Sequence, residues 1–406
     1  MSAILADSLP TDTQPASPRL HLAFLDGLRG LAALYVVLYH IYQYHFGVVL
    51  RHEGVELPRT LIHLTNWLAF GQEAVCVFIV LSGYCLMLPV AQTAAGELRG
   101  GMFAFFRRRA RRILPPYYAA LGLSLLVIAF VPGFLHVSGR QSDILLPAFT
   151  SGVLFSHFLL IQNWSNAWAW KIDSPMWSVA TEWQIYFLFP LILLPIWRKL
   201  GITSTVVTGF VLGYGALLMS HGHLDRACPQ FAGLFAMGMA GAVIGFARYP
   251  VPLSLSTKSG LGLILLFTVF CLLTSYGTGW LRSEAFVIDP FVGLITTLLL
   301  IYCTSHLVGA HEGYISPILR VLQVKPLVFL GRFSYSLYLV HYIVLVGLDQ
   351  MIAPLRLTTE PTLFVMMALG IPCSLAFAYL FHLAFERPFI STTKSTPSPV
   401  NQVPLS

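Results

Sequence analysis

An arginine and a histidine, Arg29 and His40, lie eleven residues apart in the first long apolar stretch of the chain. On a helix the two side chains would project about 20° apart, on one face, with about 16 Å between them along the axis. Ionisable side chains are costly inside a bilayer and usually serve a function there. The pair therefore predicts an arginine near one membrane surface and a histidine near mid-membrane. The alternative is that Arg29 reaches the lipid headgroups and His40 is a packing residue.

A dense arginine cluster precedes the third apolar stretch, with five arginines in the six positions from Arg107 to Arg112. The cluster is followed by Pro115, Pro116 and Tyr117. Guanidinium groups bind phosphate in a bidentate manner, so the cluster is a candidate site for a phosphate-bearing ligand. A basic cluster beside a membrane span can also serve only to fix topology and contact anionic lipid.

Two later stretches also carry polar groups at helical spacing. Glu182 is one turn from Ser178 and from Tyr186, which predicts a polar cavity at that depth of the helix. Ser334, Tyr338 and His341 follow at spacings of four and three and form one stripe along a helix. Such a stripe faces a pocket or neighbouring helices and not lipid.

The composition places these residues in a membrane. The chain has 406 residues, of which 56% are hydrophobic and 10% charged, and its mean hydropathy is +0.74. About ten stretches are long enough to cross the hydrocarbon as helices. They lie near 24–46, 68–91, 113–132, 179–197, 203–220, 230–247, 259–276, 287–308, 327–349 and 362–385. Membrane barrels need alternating strands, so the sequence predicts an all-α, polytopic integral membrane protein.

The loops on the side of the two termini carry roughly twice as many lysines and arginines as the opposite loops, which predicts that both termini are cytoplasmic. The predicted parts are a cytoplasmic segment over 1–21, a transmembrane domain over 22–390 and a disordered cytoplasmic tail over 391–406. An outer loop at about 133–178 is expected to contain a re-entrant or interfacial helix. The formal charge of +7 is explained by this topology without nucleic acid. The six cysteines form no C-x-x-C pair and predict no metal site.

From about Leu22 to Pro388 the chain resembles the acyltransferase-3 family of membrane O-acyltransferases. The resemblance rests on four motifs in order, namely Arg29 with His40 (Arg-x10-His), Arg109–Tyr117 (R-x-x-R-I-x-P-x-Y), Trp177–Tyr186 (W-S…E-x-Q-F-Y) and Ser334–His341 (S-Y-x-x-Y-L-x-H). Two departures stand out. Trp183 follows Glu182 where many members have a second glutamate, and the sequence stops after the last predicted span where some members continue into an extracytoplasmic hydrolase-like domain.

The resemblance implies transfer of an acyl group, usually acetyl, from cytoplasmic acyl-CoA to a hydroxyl of a glycan, lipid-linked sugar or glycosylated metabolite. The acyl-CoA would be a co-substrate and not a bound cofactor, and the protein would lie in a bacterial plasma membrane. The implied catalytic residues are His40, Glu182 and His341. The implied acyl-CoA-binding residues are Arg29, Arg108, Arg109, Arg111, Arg112 and Tyr117, and the acceptor-binding residues are Tyr186, Tyr338 and Trp177. His40 would act either as general base or as an acyl-carrying nucleophile.

Two other classes use similar residues. A proton-coupled transporter or flippase would use intramembrane His, Glu and Arg as a proton relay, but no inverted repeat is evident in the sequence. A haem protein would use His40 and His341 as axial ligands.

Overall fold

The computed structural model describes residues 22–52, 64–93, 96–131, 150–246, 285–308 and 316–390, together with 260, 262–267 and 269. Within these ranges every regular element is helical and there is no strand, so the predicted all-α fold is confirmed. The predicted terminal segments, 1–21 and 391–406, lie outside the described residues.

Thirteen α-helices are needed to describe this part of the chain. They are α1 (Ala23–His52), α2 (Gly71–Ala91), α3 (Gly101–Phe130), α4 (Ser151–Leu159), α5 (Met176–Leu188), α6 (Leu194–Met219), α7 (Phe231–Gly245), α8 (Ala285–Val308), α9 (Pro317–Leu322), α10 (Lys325–Arg332), α11 (Ser334–Ile352), α12 (Thr359–Val365) and α13 (Ile371–Phe381). Single π-helical turns join α5 to α6 (Phe189–Leu193) and α12 to α13 (Met366–Gly370), and a third follows α13 (His382–Glu386).

Eight helical stretches in the described part are long and apolar enough to cross a membrane. One of them, Met176–Met219, has 44 residues and breaks at Gly201, where φ is 82°. Glycine is the residue that adopts this backbone conformation without strain, so the predicted spans near 179–197 and 203–220 lie on either side of the break. The predicted span near 259–276 lies mostly outside the described residues. The count of ten and the cytoplasmic termini stay predictions.

Two predicted helix boundaries are wrong. The third span was predicted to begin near residue 113, but α3 begins at Gly101 and carries the arginines on its first turns. Apolar windows miss this start because they exclude charged residues, although arginine is a good helix former. The ninth span was predicted over 327–349, but Phe333 separates α10 from α11.

The outer loop holds one described helix, the nine-residue α4. That helix is shorter than a membrane crossing, which needs about 20 residues. The part of this loop before Thr150 lies outside the described residues, so a re-entrant or interfacial helix stays a prediction.

Glycines allow the helices around the central residues to pack with their backbones in contact. A Cβ atom at Gly27 of α1 would lie 1.7 Å from the carbonyl oxygen of Leu322, and one at Gly331 would lie 1.9 Å from that of Asp26. A Cβ atom at Gly238 of α7 would lie 2.0 Å from the carbonyl oxygen of Val80 in α2. Small residues at such contacts are the usual means of close helix association in membranes. They fix α1 against α10 and α2 against α7.

Candidate active site

His40 and His341 meet in the interior of the helix bundle. The Nε2 atom of His341 lies 3.1 Å from Nδ1 of His40, and the ring centroids are 4.9 Å apart. His341 is completely buried and His40 is 9% exposed. The sequence placed the two histidines at comparable depth on separate helices, and the fold brings them into contact.

The hydrogen bonds around the two rings identify which nitrogens carry protons. Nδ1 of His341 lies 3.0 Å from the carbonyl oxygen of Leu337 and 2.9 Å from that of Tyr338, so it is the protonated nitrogen. Nε2 of His341 is then an acceptor for the Nδ1–H of His40, which also lies 2.9 Å from the carbonyl oxygen of Val36. A neutral His40 with its proton on Nδ1 carries a lone pair on Nε2. That lone pair is a base and a nucleophile.

Aromatic side chains hold the imidazole of His40 from two other directions. The ring of Tyr39 packs against it edge-on at 4.9 Å, and that of Tyr342 does so at 5.2 Å. Tyr39 in turn packs on Gly71, where a Cβ atom would lie 2.1 Å from the tyrosine ring. The orientation of His40 is therefore set by packing as well as by its hydrogen bonds.

A cavity of about 180 Å³ lies between α1, α2, α3, α5 and α11. Its lining residues on α1 and α11 precede His40 and His341 along the same two helices. Its charged lining consists of three arginines and one carboxylate, Arg29, Arg109, Arg112 and Glu182. We call this cavity the arginine pocket. Its lining carries an excess of positive charge, which suits an anionic ligand.

The arginines of the pocket differ in how they are held. Arg29 contacts Asp26 at 3.3 Å and donates to the Sγ atom of Cys85 at 3.0 Å. The Nε atom of Arg109 is buried and has no hydrogen-bond partner among the described residues. A buried polar atom normally has a partner, so this guanidinium has hydrogen-bonding capacity that is left for a ligand.

Glu182 lines the arginine pocket. Its Oε1 atom accepts hydrogen bonds from the hydroxyls of Ser82 and Tyr186. Glu182 also lines a second cavity of about 30 Å³, together with Ser178 and Tyr338. We call this second cavity the junction cavity.

The junction cavity adjoins the arginine pocket and is lined by Tyr338, whose ring lies 6.0 Å from that of His341. The two cavities share the side chains of Phe78, Glu182 and Tyr335. Along α11, Ser334 and Tyr335 line the arginine pocket, Tyr338 lines the junction cavity, and His341 one turn further contacts His40. The predicted stripe on this helix therefore leads from the arginine pocket past the junction cavity to the histidines, and we call this route the path.

Several residues that the resemblance assigned to acyl-CoA lie elsewhere. Arg108 is exposed and donates to the carbonyl oxygen of Arg99 at 2.9 Å, and Arg111 is exposed and does not line the pocket. Tyr117 is buried and donates to the carbonyl oxygen of His157 at 2.9 Å. It ties α3 to α4, away from the pocket.

The residues assigned to the acceptor lie in three different places. Tyr186 lines the arginine pocket beside Glu182. Tyr338 lines the junction cavity, where its hydroxyl is 2.5 Å from that of Ser178 and donates to the carbonyl oxygen of Pro175 at 3.1 Å. Trp177 packs its ring against Trp170 and Phe231. Only Tyr338 is on the path next to the histidines.

Sequence reasoning missed the α2 side chains of the path, Ser82, Cys85 and Phe78. It also missed a second intramembrane polar group, the Asp289 cluster, formed by Asp289, Gln72, Cys76 and Gln230. The amide groups of Gln72 and Gln230 and the thiol of Cys76 all donate to the Asp289 carboxylate, at 3.0–3.3 Å. A carboxylate in a predicted span was the available signal for this cluster.

Comparison with known proteins identifies the class. With its membrane-crossing helices and its bacterial relatives, the chain is an integral protein of a bacterial membrane, as predicted. A family model described as an acyltransferase domain, Acyl_transf_3, matches residues 22–383. The chain therefore belongs to this acyltransferase family, and the resemblance seen in its motifs is confirmed.

Individual relatives are O-acetyltransferases by name. O-acetyltransferase OatA of Staphylococcus aureus is 25% identical over 355 residues, covering 82% of this chain and 52% of the relative. Peptidoglycan O-acetyltransferase OatA of Listeria monocytogenes is 23% identical over 376 residues, covering 85% of this chain and 52% of the relative. The chain thus spans about half the length of these curated relatives. No solved structure matches it.

Proposed function

We propose that this protein is an O-acetyltransferase that moves an acetyl group from cytoplasmic acyl-CoA to a hydroxyl of a carbohydrate. The observation that carries the proposal is the order along α11, where the arginine pocket, the junction cavity and the paired histidines follow one another. Family membership supports acyl transfer. The name of the Listeria relative supports a glycan as the acceptor.

The arginine pocket suits the anionic end of the donor. The phosphates of CoA cannot enter lipid, whereas the pantetheine arm that carries the thioester is long and carries no charge. Arg109 and Arg112 would bind phosphate with Arg29 behind them. The arm would extend from the pocket toward the histidines, along the distance of about 16 Å that separates Arg29 from His40 on α1, and would place its acyl group in the junction cavity.

His40 would act through the lone pair on Nε2. As general base it removes the proton of the acceptor hydroxyl while the hydroxyl oxygen attacks the thioester carbonyl. The carbon–sulfur bond then breaks, and the proton passes to the departing CoA thiolate. The same lone pair serves the covalent alternative, in which Nε2 attacks the thioester carbonyl and the CoA thiolate leaves, giving an acyl-imidazole. The acceptor hydroxyl then attacks the acyl carbon, the imidazole leaves, and the hydroxyl proton passes to the thiolate. His341 is a positioning residue in both routes because it holds the proton of His40 on Nδ1.

Glu182 has a supporting role in this scheme. It accepts from Ser82 and Tyr186 at the junction of the two cavities. From there it balances the charge of the arginines and orients the two hydroxyls along the path of the donor arm. Because Glu182 lines the arginine pocket, we assign it to the donor side of the site.

The test is acetyl-CoA turnover by the purified protein and its His40→Ala variant. We measure release of CoA thiol and acetylation of a panel of glycans by mass spectrometry. Loss of a general base costs about 10²–10⁴ in rate, so His40→Ala is expected to lose acetylation by that factor while its thermal unfolding stays unchanged. His223→Ala, at an exposed histidine, is the matched control and keeps full activity. Normal acetylation by His40→Ala would refute the assignment.

A further inference from the structure

The junction cavity adjoins the arginine pocket at the place where the donor arm would hold its acyl group. It has a volume of about 30 Å³, against about 180 Å³ for the arginine pocket. Tyr338 lines it, and the ring of Tyr338 is 6.0 Å from that of His341. In the proposed reaction, the acyl group of a donor bound in the pocket therefore occupies this space.

The volume of the junction cavity matches a very short acyl group. A cavity needs about 10–15 Å³ to hold one water-sized group. About 30 Å³ thus holds roughly two such groups, which are the methyl and the carbonyl oxygen of an acetyl group. Each further methylene needs space that the cavity lacks.

The apolar wall of the cavity comes mainly from two helices. Phe78 and Ile79 are on α2 and Val179 is on α5. Phe78 lies between the two cavities and packs its ring edge-on against Tyr338 at 6.0 Å. Ile79 and Val179 are 1% and 3% exposed, so the wall around the cavity is closely packed.

Helix α2, which carries most of this wall, cannot move away to make room for a longer acyl chain. Helix α2 is pressed against α7, where a Cβ atom at Gly83 would lie 2.0 Å from the carbonyl oxygen of Phe235. The contact between Gly238 and Val80 fixes the same pair of helices one turn away. Because the backbones are already in contact, α2 has no space behind it to move into.

We propose that Phe78, supported by Val179, limits the donor to acetyl by closing the junction cavity to longer acyl chains. This inference rests on the proposed acyl transfer and adds the residues that set its donor specificity. Phe78 is the principal determinant because it lines both cavities and its ring fills the space next to Tyr338. Replacing the ring by a smaller side chain opens the cavity toward the arginine pocket.

The experiment compares kcat/KM for acetyl-, propionyl- and butyryl-CoA in the unchanged protein, Phe78→Ala, Phe78→Leu and Val179→Ala. One extra methylene that a pocket cannot hold costs about 10–200-fold. The unchanged protein is expected to discriminate against butyryl-CoA by at least about 100-fold. Phe78→Ala should raise the butyryl-to-acetyl ratio by at least about tenfold, with smaller increases in Phe78→Leu and Val179→Ala.

The matched control is Phe377→Ala, at a phenylalanine on α13 that is 37% exposed and outside both cavities. It should leave the ratio unchanged. A ratio that stays the same in Phe78→Leu and Val179→Ala, with acetyl transfer intact, would overturn the inference even if Phe78→Ala fails to fold. Turnover of no thioester by the unchanged protein would instead overturn the proposed function.

Discussion

The arginine pocket and the Asp289 cluster are both polar groups inside the helix bundle, but they are satisfied in opposite ways. In the cluster, three side chains from α2 and α7 donate to one carboxylate on α8. In the pocket, three guanidinium groups face a cavity and the buried Nε atom of Arg109 has no partner among the described residues. The cluster joins helices, whereas the pocket has bonding capacity for a ligand.

The difference shows that an ionisable residue in a membrane span is only the first indication of a function. Asp289 is as buried as His341, yet its hydrogen bonds are directed at its own neighbours. The hydrogen-bonding partners decide between the two cases. Polar groups with internal partners stabilise the bundle, and those that line a cavity bind or react.

The largest effect is expected from removing two arginines of the pocket together, Arg109→Ala with Arg112→Ala. A hydrogen bond to a charged group contributes about 1.5–3 kcal/mol, so losing two raises KM for acyl-CoA by at least about a hundredfold with little change in KM for the acceptor. Steady-state kinetics with each substrate varied separately checks this. Arg108→Ala with Arg111→Ala, on the exposed face of the same helix turns, is the control and should change KM less than twofold. An equal rise of KM for acyl-CoA and for the acceptor would indicate that the pocket arginines serve only to fix the membrane topology.

The next effect concerns the Asp289 cluster and should appear in stability alone. Asp289→Ala leaves the amide donors of Gln72 and Gln230 without their acceptor, which costs about 1–3 kcal/mol. The expected result is a lower Tm in detergent with unchanged KM for acyl-CoA. Asp289→Asn retains one acceptor oxygen, so its Tm should fall less than that of Asp289→Ala. A variant with unchanged Tm and lost activity would make the cluster part of the catalytic site.

Each region contains a cysteine, and their reactivities should differ. Cys85 lines the arginine pocket, whereas Cys76 in the Asp289 cluster is completely buried. A maleimide should label Cys85, and acyl-CoA should slow that labelling because it fills the same cavity. Peptide mass spectrometry locates the modified residue, and Cys85→Ser is the control. Labelling of Cys85 at the same rate with saturating acyl-CoA would contradict donor binding in this pocket.

The smallest effect concerns Asp173. This residue is intermediate between the Asp289 cluster and the arginine pocket, because only one of its two oxygens has a partner among the described residues. One of its oxygens accepts from Ser124 at 3.2 Å, and the other is buried without a partner among the described residues. Burial raises the pKa of Asp173 to about 8 from its usual value near 4. The folded state therefore binds this proton more tightly than the unfolded state, and stability falls as pH rises from about 4 to about 8.

Asp173→Asn removes that titration and should flatten the fall of Tm between pH 6 and pH 8. Thermal unfolding at a series of pH values measures the difference between the two proteins. Parallel curves for Asp173→Asn and the unchanged protein would show that the Asp173 carboxyl stays ionised when buried.

The sequence predicted the membrane fold, the shared face of Arg29 and His40 and the stripe on α11, because these depend on local helical periodicity. It grouped Arg108 and Arg111 with Arg109 and Arg112, since the helix was predicted to begin after the cluster. With α3 beginning at Gly101, all four arginines lie on one helix, and of the four only Arg109 and Arg112 line the pocket.

The partners of Glu182 and Asp289 could not be predicted. Ser82 is one hundred residues before Glu182, and Gln72 is more than two hundred before Asp289. Hydrogen bonds over such separations depend on which helices pack together, and a single sequence with nearly uniform apolar spans carries little information on that. Tyr117 was misplaced for the same reason, because its partner His157 is on a short helix beyond a loop.

The position of Arg29 and His40 on a single helix has a consequence for substrate size. Both residues lie on the uninterrupted helix α1, so the helix backbone fixes the distance between them. In the proposed reaction, a thioester on a truncated carrier arm would not reach His40 while its phosphate is held at the pocket arginines. An insertion of one residue between them would shift the helical register by about 100° and turn the imidazole away from His341. The spacing of eleven residues is therefore as much a part of the chemistry as the two side chains.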